Sequence, residues 1–353
     1  MIIDSHAHIF PHLGSRAGFP SVEAHLDEIQ RSMHNHLAQP VKRKSDHQSV
    51  SEKTLWDPDD PTMAGKYEVN FRVTNNGRFE WKKDGIDYYI HYMPPNLQTM
   101  EAGPEFLKVM MEYVGIDKAV LQCASVYGKL NYYYLNVIHE YGDLFYPLYQ
   151  PEEMRAYSDE QIMQLRDFVK FGFRAIWFAG SEKCFTAKYR PFWDEVSALK
   201  LPVFWSFHPN QYTDLSRGLL DWVHRYPNII NIIAQSFPMS LIRVDGRFAL
   251  PDFMREFTQL DNVLFELAYP ISEGNQEDYP YPRSQEAVKF LYNIFGAHKL
   301  VWGSDIPNVE RYCTYAQSLN YLRNYCSFVN KSDMDLILGG NLAPIFEGGN
   351  IHE

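Results

Sequence analysis

Residues 2–8, Ile2-Ile3-Asp4-Ser5-His6-Ala7-His8, are an apolar strand that runs directly into two histidines. Residues i and i+2 of a strand project to the same side, so the imidazoles of His6 and His8 can reach a single metal ion. Near the other end of the chain a second apolar strand, residues 300–304, is followed by Asp305. A His-x-His pair alone is weak support for a metal site, because a histidine beside a buried strand is more often a core residue. The pattern along the rest of the chain therefore decides between a metal site and a pair of core histidines.

Short runs rich in β-branched or aromatic residues alternate with amphipathic stretches, which is typical of β/α units around a parallel sheet. The sequence predicts eight strands, at residues 1–9, 118–125, 144–150, 173–178, 203–208, 229–236, 263–268 and 300–304. It predicts helices at residues 22–37, 106–114, 159–170, 192–199, 214–225, 285–295 and 312–325. This pattern over 353 residues predicts an α/β fold, a single (β/α)₈ TIM barrel spanning residues 1–353 with catalytic residues at the carboxyl ends of the strands.

Residues 39–92 interrupt the alternation. They are polar and rich in Asp and Pro at residues 57–61, and then predict a hairpin whose strands, Tyr67–Thr74 and Arg78–Trp81, are joined by Asn75-Asn76-Gly77. We expect an insertion after strand 1 that covers the barrel mouth and brings His91 or Arg72 to the substrate, because lids are commonly built on such loops. A surface excursion without function is the alternative.

The composition excludes several classes of partner. A formal charge of −11 and a pI near 5.6 argue against a nucleic-acid or anionic membrane surface. No apolar stretch approaches the roughly 20 residues that cross a bilayer. The four cysteines are scattered without CxxC spacing, so neither a disulfide framework nor a thiolate zinc site is predicted, and we expect a cytoplasmic protein.

Four potential metal ligands stand where a barrel would place them. His6, His8, His208 and Asp305 all fall at the carboxyl end of a predicted strand. Three imidazoles and a carboxylate around one divalent ion leave room for water or a substrate oxygen, as catalysis requires. Taken alone, His208 would be interpreted as a helix cap or a core residue. The presence of His6, His8 and Asp305 at other strand ends favours a role as metal ligand.

These motifs resemble the amidohydrolase superfamily. The resemblance rests on D-x-H-x-H at residues 4–8, G-S-D-x-P at residues 303–307 and the segment ILGGNLAPIF at residues 337–346. The chain is most similar to the amidohydrolase-related branch that includes aminocarboxymuconate semialdehyde decarboxylase and γ-resorcylate decarboxylase. The resemblance implies a homodimer, a small carboxylate as substrate, and one divalent ion, zinc with manganese as the alternative. It implies as ligands His6, His8, His208 and Asp305, and Asp305 would also transfer a proton.

The chain departs from this branch at strand 6, where the branch has a histidine that orients or activates the metal-bound water. Gln235 stands in its place, and an amide can bind water or substrate but cannot take a proton at neutral pH. Glu266, at the end of strand 7, is either a substitute base or a buried ion-pair partner. Decarboxylation without oxidation needs no activated water, so the departure favours a decarboxylase over a hydrolase.

Three further residues are expected to line the substrate pocket. Gly246-Arg247 resembles the segment through which the family supplies an arginine to the substrate carboxylate, a group that guanidinium binds bidentately. A surface salt bridge is the alternative for Arg247. Tyr127 and His91 lie near predicted mouth positions, and the 24 tyrosines suit an aromatic substrate.

Three hypotheses about function follow. The first is a metal-dependent decarboxylase acting on a small aromatic or enolic carboxylate. The second is a metal-dependent hydrolase of a lactone or amide, with Glu266 or Asp305 as base. The third is a barrel that has lost catalysis and survives as a binding protein, against which the complete set of four ligands argues.

Overall fold

The computed structural model of the chain describes residues 1–35, 39–60, 62–235, 237–268, 271 and 277–347. The chain divides into two compact units. The first comprises Met1–Ala7, Met110–Gln122 and Tyr134–Glu353, and the second comprises His8–Val109 and Cys123–Tyr133. All strands of the parallel sheets lie in the first unit.

The strands of the described residues are short. In chain order they are β1 (Ile3–Ala7), β2 (Lys42–Arg43), β3 (Arg72–Val73), β4 (Arg78–Lys83), β5 (Ile86–His91), β6 (Lys118–Leu121), β7 (Phe145–Pro147), β8 (Ile176–Phe178), β9 (Val203–Trp205), β10 (Asn231–Ile233), β11 (Arg243–Val244), β12 (Arg247–Phe248), β13 (Val263–Glu266) and β14 (Leu300–Val301). Eight of them form parallel sheets, in the orders β1-β6-β7 and β14-β13-β10-β9-β8.

Single bridges connect the edges of the two parallel sheets. Tyr149, after β7, bridges Ile176 of β8, and Ala7 of β1 bridges Ile306, after β14. The backbone N–H of Ser5 also donates to the carbonyl of Trp302 at 3.0 Å. Strands β1, β7, β8, β9, β10 and β13 are buried along their whole length, as expected of parallel strands covered on both faces.

All eight predicted parallel strands are present, but seven of them end before the predicted residue. The apolar pattern continues beyond the last ladder hydrogen bond, whereas the backbone has already left the extended conformation. Gln235 and Asp305, which follow β10 and β14, have φ angles of 67° and 62° in the left-handed region. His208 likewise lies beyond β9, where a short 3₁₀ turn begins.

The described residues form twelve α-helices, and seven of them lie close to a predicted position. Their bounds are Val22–Asn35, Pro104–Val114, Asn131–Tyr141, Asp159–Lys170, Arg190–Ala198, Tyr212–Arg225, Met239–Ile242, Asp252–Arg255, Pro282–Phe295, Tyr315–Asn320, Lys331–Asp335 and Ala343–Phe346. The predicted end of the first helix, Leu37, lies outside the described residues. Five helices were not predicted, one of them long, Asn131–Tyr141, and four of them short, Met239–Ile242, Asp252–Arg255, Lys331–Asp335 and Ala343–Phe346. No helix of the described residues has the length and apolar character needed to cross a membrane.

The second unit contains a four-stranded antiparallel sheet in the order β2-β5-β4-β3. The predicted hairpin at Asn75-Asn76-Gly77 is confirmed, and it joins β3 to β4. A second hairpin, β4 to β5, was missed. It turns at Asp84-Gly85, whose φ angles of 51° and 80° suit a tight hairpin turn. Buried aromatic side chains, Phe79 and Trp81, anchor β4.

Candidate metal centre

His6, His8 and Asp305 form a compact group of potential ligands. Their ligand atoms lie within 4.8 Å of one another, all three residues are buried, and no other such group occurs among the described residues. His6 Nε2 lies 3.7 Å from Asp305 Oδ1. Two ligands of one tetrahedral zinc ion are about 3.4 Å apart when each bond is about 2.1 Å long. The donor types and this spacing therefore fit a divalent metal ion.

Backbone pairing brings the two ends of the chain to this group. The register of β1 against β6 shifts between Asp4 and Ala7, so the strand is irregular where it carries His6. The N–H of Asp305 donates to the carbonyl of His6 at 2.8 Å. Asn308 Nδ2 donates to Asp305 Oδ1 at 2.8 Å and fixes the carboxylate. Residues about 300 positions apart in the sequence thus become neighbours.

Glu266 is the hub of the buried hydrogen bonds behind His6. The residue is 0% exposed. Its carboxylate accepts four hydrogen bonds, from Ser5 Oγ at 2.5 Å, Gln122 Nε2 at 3.0 Å, His6 Nδ1 at 2.7 Å and the backbone N of Gln235 at 2.7 Å. The bond to Nδ1 places the proton on that nitrogen and directs Nε2 towards Asp305, which is how outer carboxylates orient metal-binding histidines.

The same carboxylates change the proton affinity of His6. Burial opposes the charged imidazolium, but the attraction of Glu266 and its hydrogen bond, with smaller contributions from Asp305 and Asp4, raise the pKa of His6 to about 8. A proton and a metal ion therefore compete for Nε2.

Asp4, the acid of the opening motif, ties β1 to the segment after β14. Its carboxylate accepts hydrogen bonds from Ser304 N at 2.9 Å, Ser304 Oγ at 2.5 Å, Tyr315 Oη at 2.8 Å and His6 N at 3.0 Å. Complete burial raises the pKa of Asp4 to about 6, against the opposing effect of these hydrogen bonds. Asp4 thus holds the backbone that carries His6.

The structure places His208 and Gln235 differently from the three grouped residues. His208 is exposed, and its Nδ1 accepts a hydrogen bond from Asn210 N at 3.3 Å. It is not part of the ligand group that the described residues form. Gln235 is partly buried, and its backbone N–H is directed to Glu266.

The three predicted pocket residues have separate surroundings. Tyr127 is buried, with its ring centroid 4.8 Å from that of His8 and stacked on Phe10 at 4.6 Å. His91, at the end of β5, is partly buried. Arg247 is exposed on the two-stranded ribbon of β11 and β12. Contact with a substrate stays a prediction for each of them.

Sequence reasoning missed the residues that support the centre. Ser5 and Gln122 both bind Glu266, and Asn308 binds Asp305. Only their positions in the sequence could have pointed to them. Ser5 lies in the strand that carries His6, Gln122 follows the end of β6, and Asn308 lies three residues after Asp305. Ser5 and Gln122 contact Glu266, which lies far from both of them in the sequence. No local sequence pattern predicts such a contact.

Gly303, the glycine of the G-S-D motif, packs so closely against the centre that an added side chain would disturb it. A Cβ there would lie 2.7 Å from His6 Cβ, 2.7 Å from Ser5 Oγ and 3.1 Å from Glu266 Cδ. We expect Gly303→Ala to destabilise the fold by about 1–3 kcal/mol and to weaken metal binding, because overpacking displaces His6. Thermal unfolding and metal content after dialysis measure both effects.

Gly103→Ala is the matched control, because its Cβ would meet only the flexible end of Glu105, at 3.2 Å. Equal metal retention in both variants would show that the spacing around Gly303 does not control the centre.

The sequence profile of the amidohydrolase family matches residues 3–343. The chain belongs to this family. The resemblance predicted from the sequence motifs is therefore confirmed. A comparison with curated proteins gives no significant match for this amidohydrolase.

Solved structures resemble the amidohydrolase over most of its length. A probable 2-pyrone-4,6-dicarboxylic acid hydrolase from Acinetobacter baumannii, with citric acid bound, is 18% identical, covers 98% of this chain and 99% of its own, and has a TM-score of 0.57. A 2,6-dihydroxybenzoate decarboxylase from Rhizobium is 13% identical, with 70% and 89% covered and a TM-score of 0.53. An amidohydrolase from Burkholderia multivorans with bound zinc is 12% identical, with 70% and 89% covered and a TM-score of 0.53. At these identities the likeness shows the fold alone.

Proposed function

We propose that this amidohydrolase is a metal-dependent decarboxylase that removes carbon dioxide, without oxidation, from a small aromatic or enolic carboxylate. The observation that carries the proposal is that neither Gln235 nor Glu266 is available as a base for a water molecule. Gln235 cannot accept a proton at neutral pH, and Glu266 already accepts four hydrogen bonds. Water attack needs such a base, and decarboxylation does not.

We infer that the eight parallel strands close into a (β/α)₈ barrel, with residues 39–92 as an insertion after its first strand. The bridges Tyr149–Ile176 and Ala7–Ile306 support closure, because they connect both edges of the three-stranded sheet to the five-stranded sheet. Matching 98% of this chain to a single solved fold supports one continuous architecture.

The residues that would hold the metal are His6, through Nε2, His8 and Asp305, with His208 as a fourth ligand by family resemblance. Zinc is the first candidate and manganese the second, and a zinc-bound structural relative supports the choice. A divalent ion bound there would supply Lewis-acid chemistry, holding substrate oxygens and stabilising negative charge. With His6, His8 and Asp305 as its protein ligands, a tetrahedral ion would keep its fourth position for the substrate.

The chain's own residues perform the remaining work. When the bond between the ring carbon and the carboxylate breaks, its electron pair stays on the ring carbon, which must then receive a proton. Asp305 in its protonated form would donate that proton, and Asn308 holds its Oδ1. The ring of Tyr127, beside His8, offers an aromatic surface for a flat substrate. His91 and Arg247 stay proposed contacts for the substrate.

Hydrolysis of a lactone is the second candidate, favoured by the coverage of 98% and 99% with a probable pyrone-dicarboxylate hydrolase. In that reaction Asp305 would be the base, because Glu266 would have to give up an existing hydrogen bond to take a proton. Glu266 would in either case orient His6 through Nδ1.

The direct test offers zinc- or manganese-loaded protein two substrates in parallel, 2,6-dihydroxybenzoate and 2-pyrone-4,6-dicarboxylate. Carbon dioxide release is followed by mass spectrometry and lactone opening by ultraviolet absorbance. We expect carbon dioxide release that disappears after chelation and returns with added metal. Lactone opening without carbon dioxide release would replace the proposal by the second candidate.

A further inference from the structure

One face of the antiparallel sheet in the second unit carries an unusual set of polar side chains. In the register of this sheet Arg78 pairs with His91, Glu80 pairs with Tyr89, and Lys42 pairs with Tyr89 from the other side. Residues directly opposite each other in antiparallel strands project to the same face, as do residues two apart in one strand. The five side chains therefore share one face.

Two neighbours fix the guanidinium of Arg78. Its Nε donates to His91 Nε2 at 2.8 Å, and its central carbon lies 4.7 Å from the centre of the Tyr89 ring. Burial, and then the positive charge of Arg78, lower the pKa of His91. A neutral imidazole thus accepts the Nε proton, so Arg78 is oriented without a carboxylate.

The outer edge of this guanidinium has no partner. Within the described residues Arg78 makes no hydrogen bond through its two Nη atoms and no ion pair, and Lys42 makes no ion pair either. The nearby Glu80 is already shared by Lys44 at 2.8 Å and Arg72 at 3.0 Å. The chain has a formal charge of −11, so acidic side chains outnumber basic ones. Arg78 and Lys42 are nevertheless partly buried without an acidic partner among the described residues.

We propose that Arg78 and Lys42 form a binding site for the carboxylate group of a small anion. Two parallel N–H groups on the edge of a guanidinium match the two oxygens of a carboxylate, and a fixed guanidinium loses little conformational entropy on binding. Lys42 adds a second positive charge, and Tyr89 and His91 hold Arg78 ready. The site lies within the second unit, and its existence does not depend on the proposed decarboxylase activity.

The test is calorimetric titration of full-length, metal-free protein with 2,6-dihydroxybenzoate, and with resorcinol as the same ring without the carboxylate. We expect Arg78→Gln to weaken binding of 2,6-dihydroxybenzoate by about 10–100-fold, the typical effect of losing a charge-assisted hydrogen bond. Arg78→Lys should give an intermediate loss because it keeps the charge and removes the fork. Resorcinol should bind weakly and equally to all variants.

Arg43→Gln is the matched control. Arg43 adjoins Lys42 on β2, so it projects to the opposite face, and it pairs with Asp46 at 2.8 Å. The Kd of Arg43→Gln for 2,6-dihydroxybenzoate should stay within about twofold of wild type. Thermal unfolding checks that every variant is folded. No saturable binding to metal-free wild type in the millimolar range, or equal losses in Arg78→Gln and Arg43→Gln, would overturn the site.

Turnover by metal-loaded protein distinguishes the two sources of the anion. If the carboxylate belongs to the substrate, Arg78→Gln should raise KM by the same factor as Kd with kcat unchanged. If it belongs to a separate effector, KM and kcat should stay as in wild type while binding is lost. Either result supports the Arg78–Lys42 site. An inactive wild type would refute the proposed function, and the titration of metal-free protein would still show whether the carboxylate site exists.

Discussion

Replacing His6 by alanine is expected to strip the protein of its metal and to lower kcat/KM by well over the roughly 10–100-fold that loss of an outer hydrogen-bond partner costs. His6 is at once a proposed metal ligand beside Asp305, at 3.7 Å, and the partner of Glu266, at 2.7 Å. The variant therefore loses one of three clustered donors and leaves a fully buried carboxylate with one partner fewer.

Elemental analysis after dialysis measures the metal, and thermal unfolding with and without added zinc separates metal loss from misfolding. A ligand that binds only the folded state raises its melting temperature, so zinc should stabilise wild type and leave His6→Ala unchanged. His224→Ala, at an exposed position on helix Tyr212–Arg225, should behave as wild type. Metal content in His6→Ala equal to that of wild type would remove the metal centre from this site.

His208→Ala belongs in the same series. Family resemblance implies that His208 is a fourth ligand, whereas the structure shows it exposed, with its Nδ1 accepting a hydrogen bond from Asn210 N. Loss of metal in this variant would support a side chain that turns inward when the ion binds. Full retention would limit the protein ligands to His6, His8 and Asp305.

Local sequence patterns predicted the order of the elements well, because a parallel sheet needs apolar strands and amphipathic helices at regular intervals. They predicted the strand ends poorly. Side chains such as Phe207 and Ala234 are buried beyond the last ladder bond, so hydrophobicity continues where the strand has stopped. Helix Asn131–Tyr141 was missed because three consecutive tyrosines conceal its apolar face.

The group of potential ligands was predictable from the sequence, and the residues that hold it in place were not. His6, His8 and Asp305 stand at strand ends, and the barrel rule brings such ends together. The bond from His6 to Glu266 joins residues 260 positions apart, and only the completed sheet places them in contact. Position alone therefore left Glu266 open between base and ion-pair partner, and its four accepted hydrogen bonds favour the partner.

Gln235→His carries the other large expected effect, and it decides the class of reaction. If water attacks the substrate, a histidine here supplies the missing general base, and turnover should rise by roughly 10²–10⁴-fold. If carbon dioxide leaves instead, there is no water proton to remove, and turnover should stay level or fall. We expect the second result.

The backbone tolerates this substitution. Gln235 has φ of 67°, and histidine is among the residues enriched in the left-handed region. The bond to Glu266 comes from the backbone N–H of residue 235 at 2.7 Å, so it survives a change of side chain. Thermal unfolding should accordingly give nearly the same midpoint for both proteins, and a difference in turnover can be assigned to chemistry.

Asp305→Asn cannot make this distinction, because in both proposed mechanisms it would weaken the metal site and remove the proton carrier. The informative measurement is Gln235→Asn beside Gln235→His, assayed for carbon dioxide from 2,6-dihydroxybenzoate and for opening of 2-pyrone-4,6-dicarboxylate. Asparagine shortens the amide without adding a base, so it reports any hydrogen bond that Gln235 makes to the substrate. Lactone opening that increases only with histidine, without carbon dioxide from either protein, would establish the hydrolase, because only water attack gains from a proton acceptor at this position.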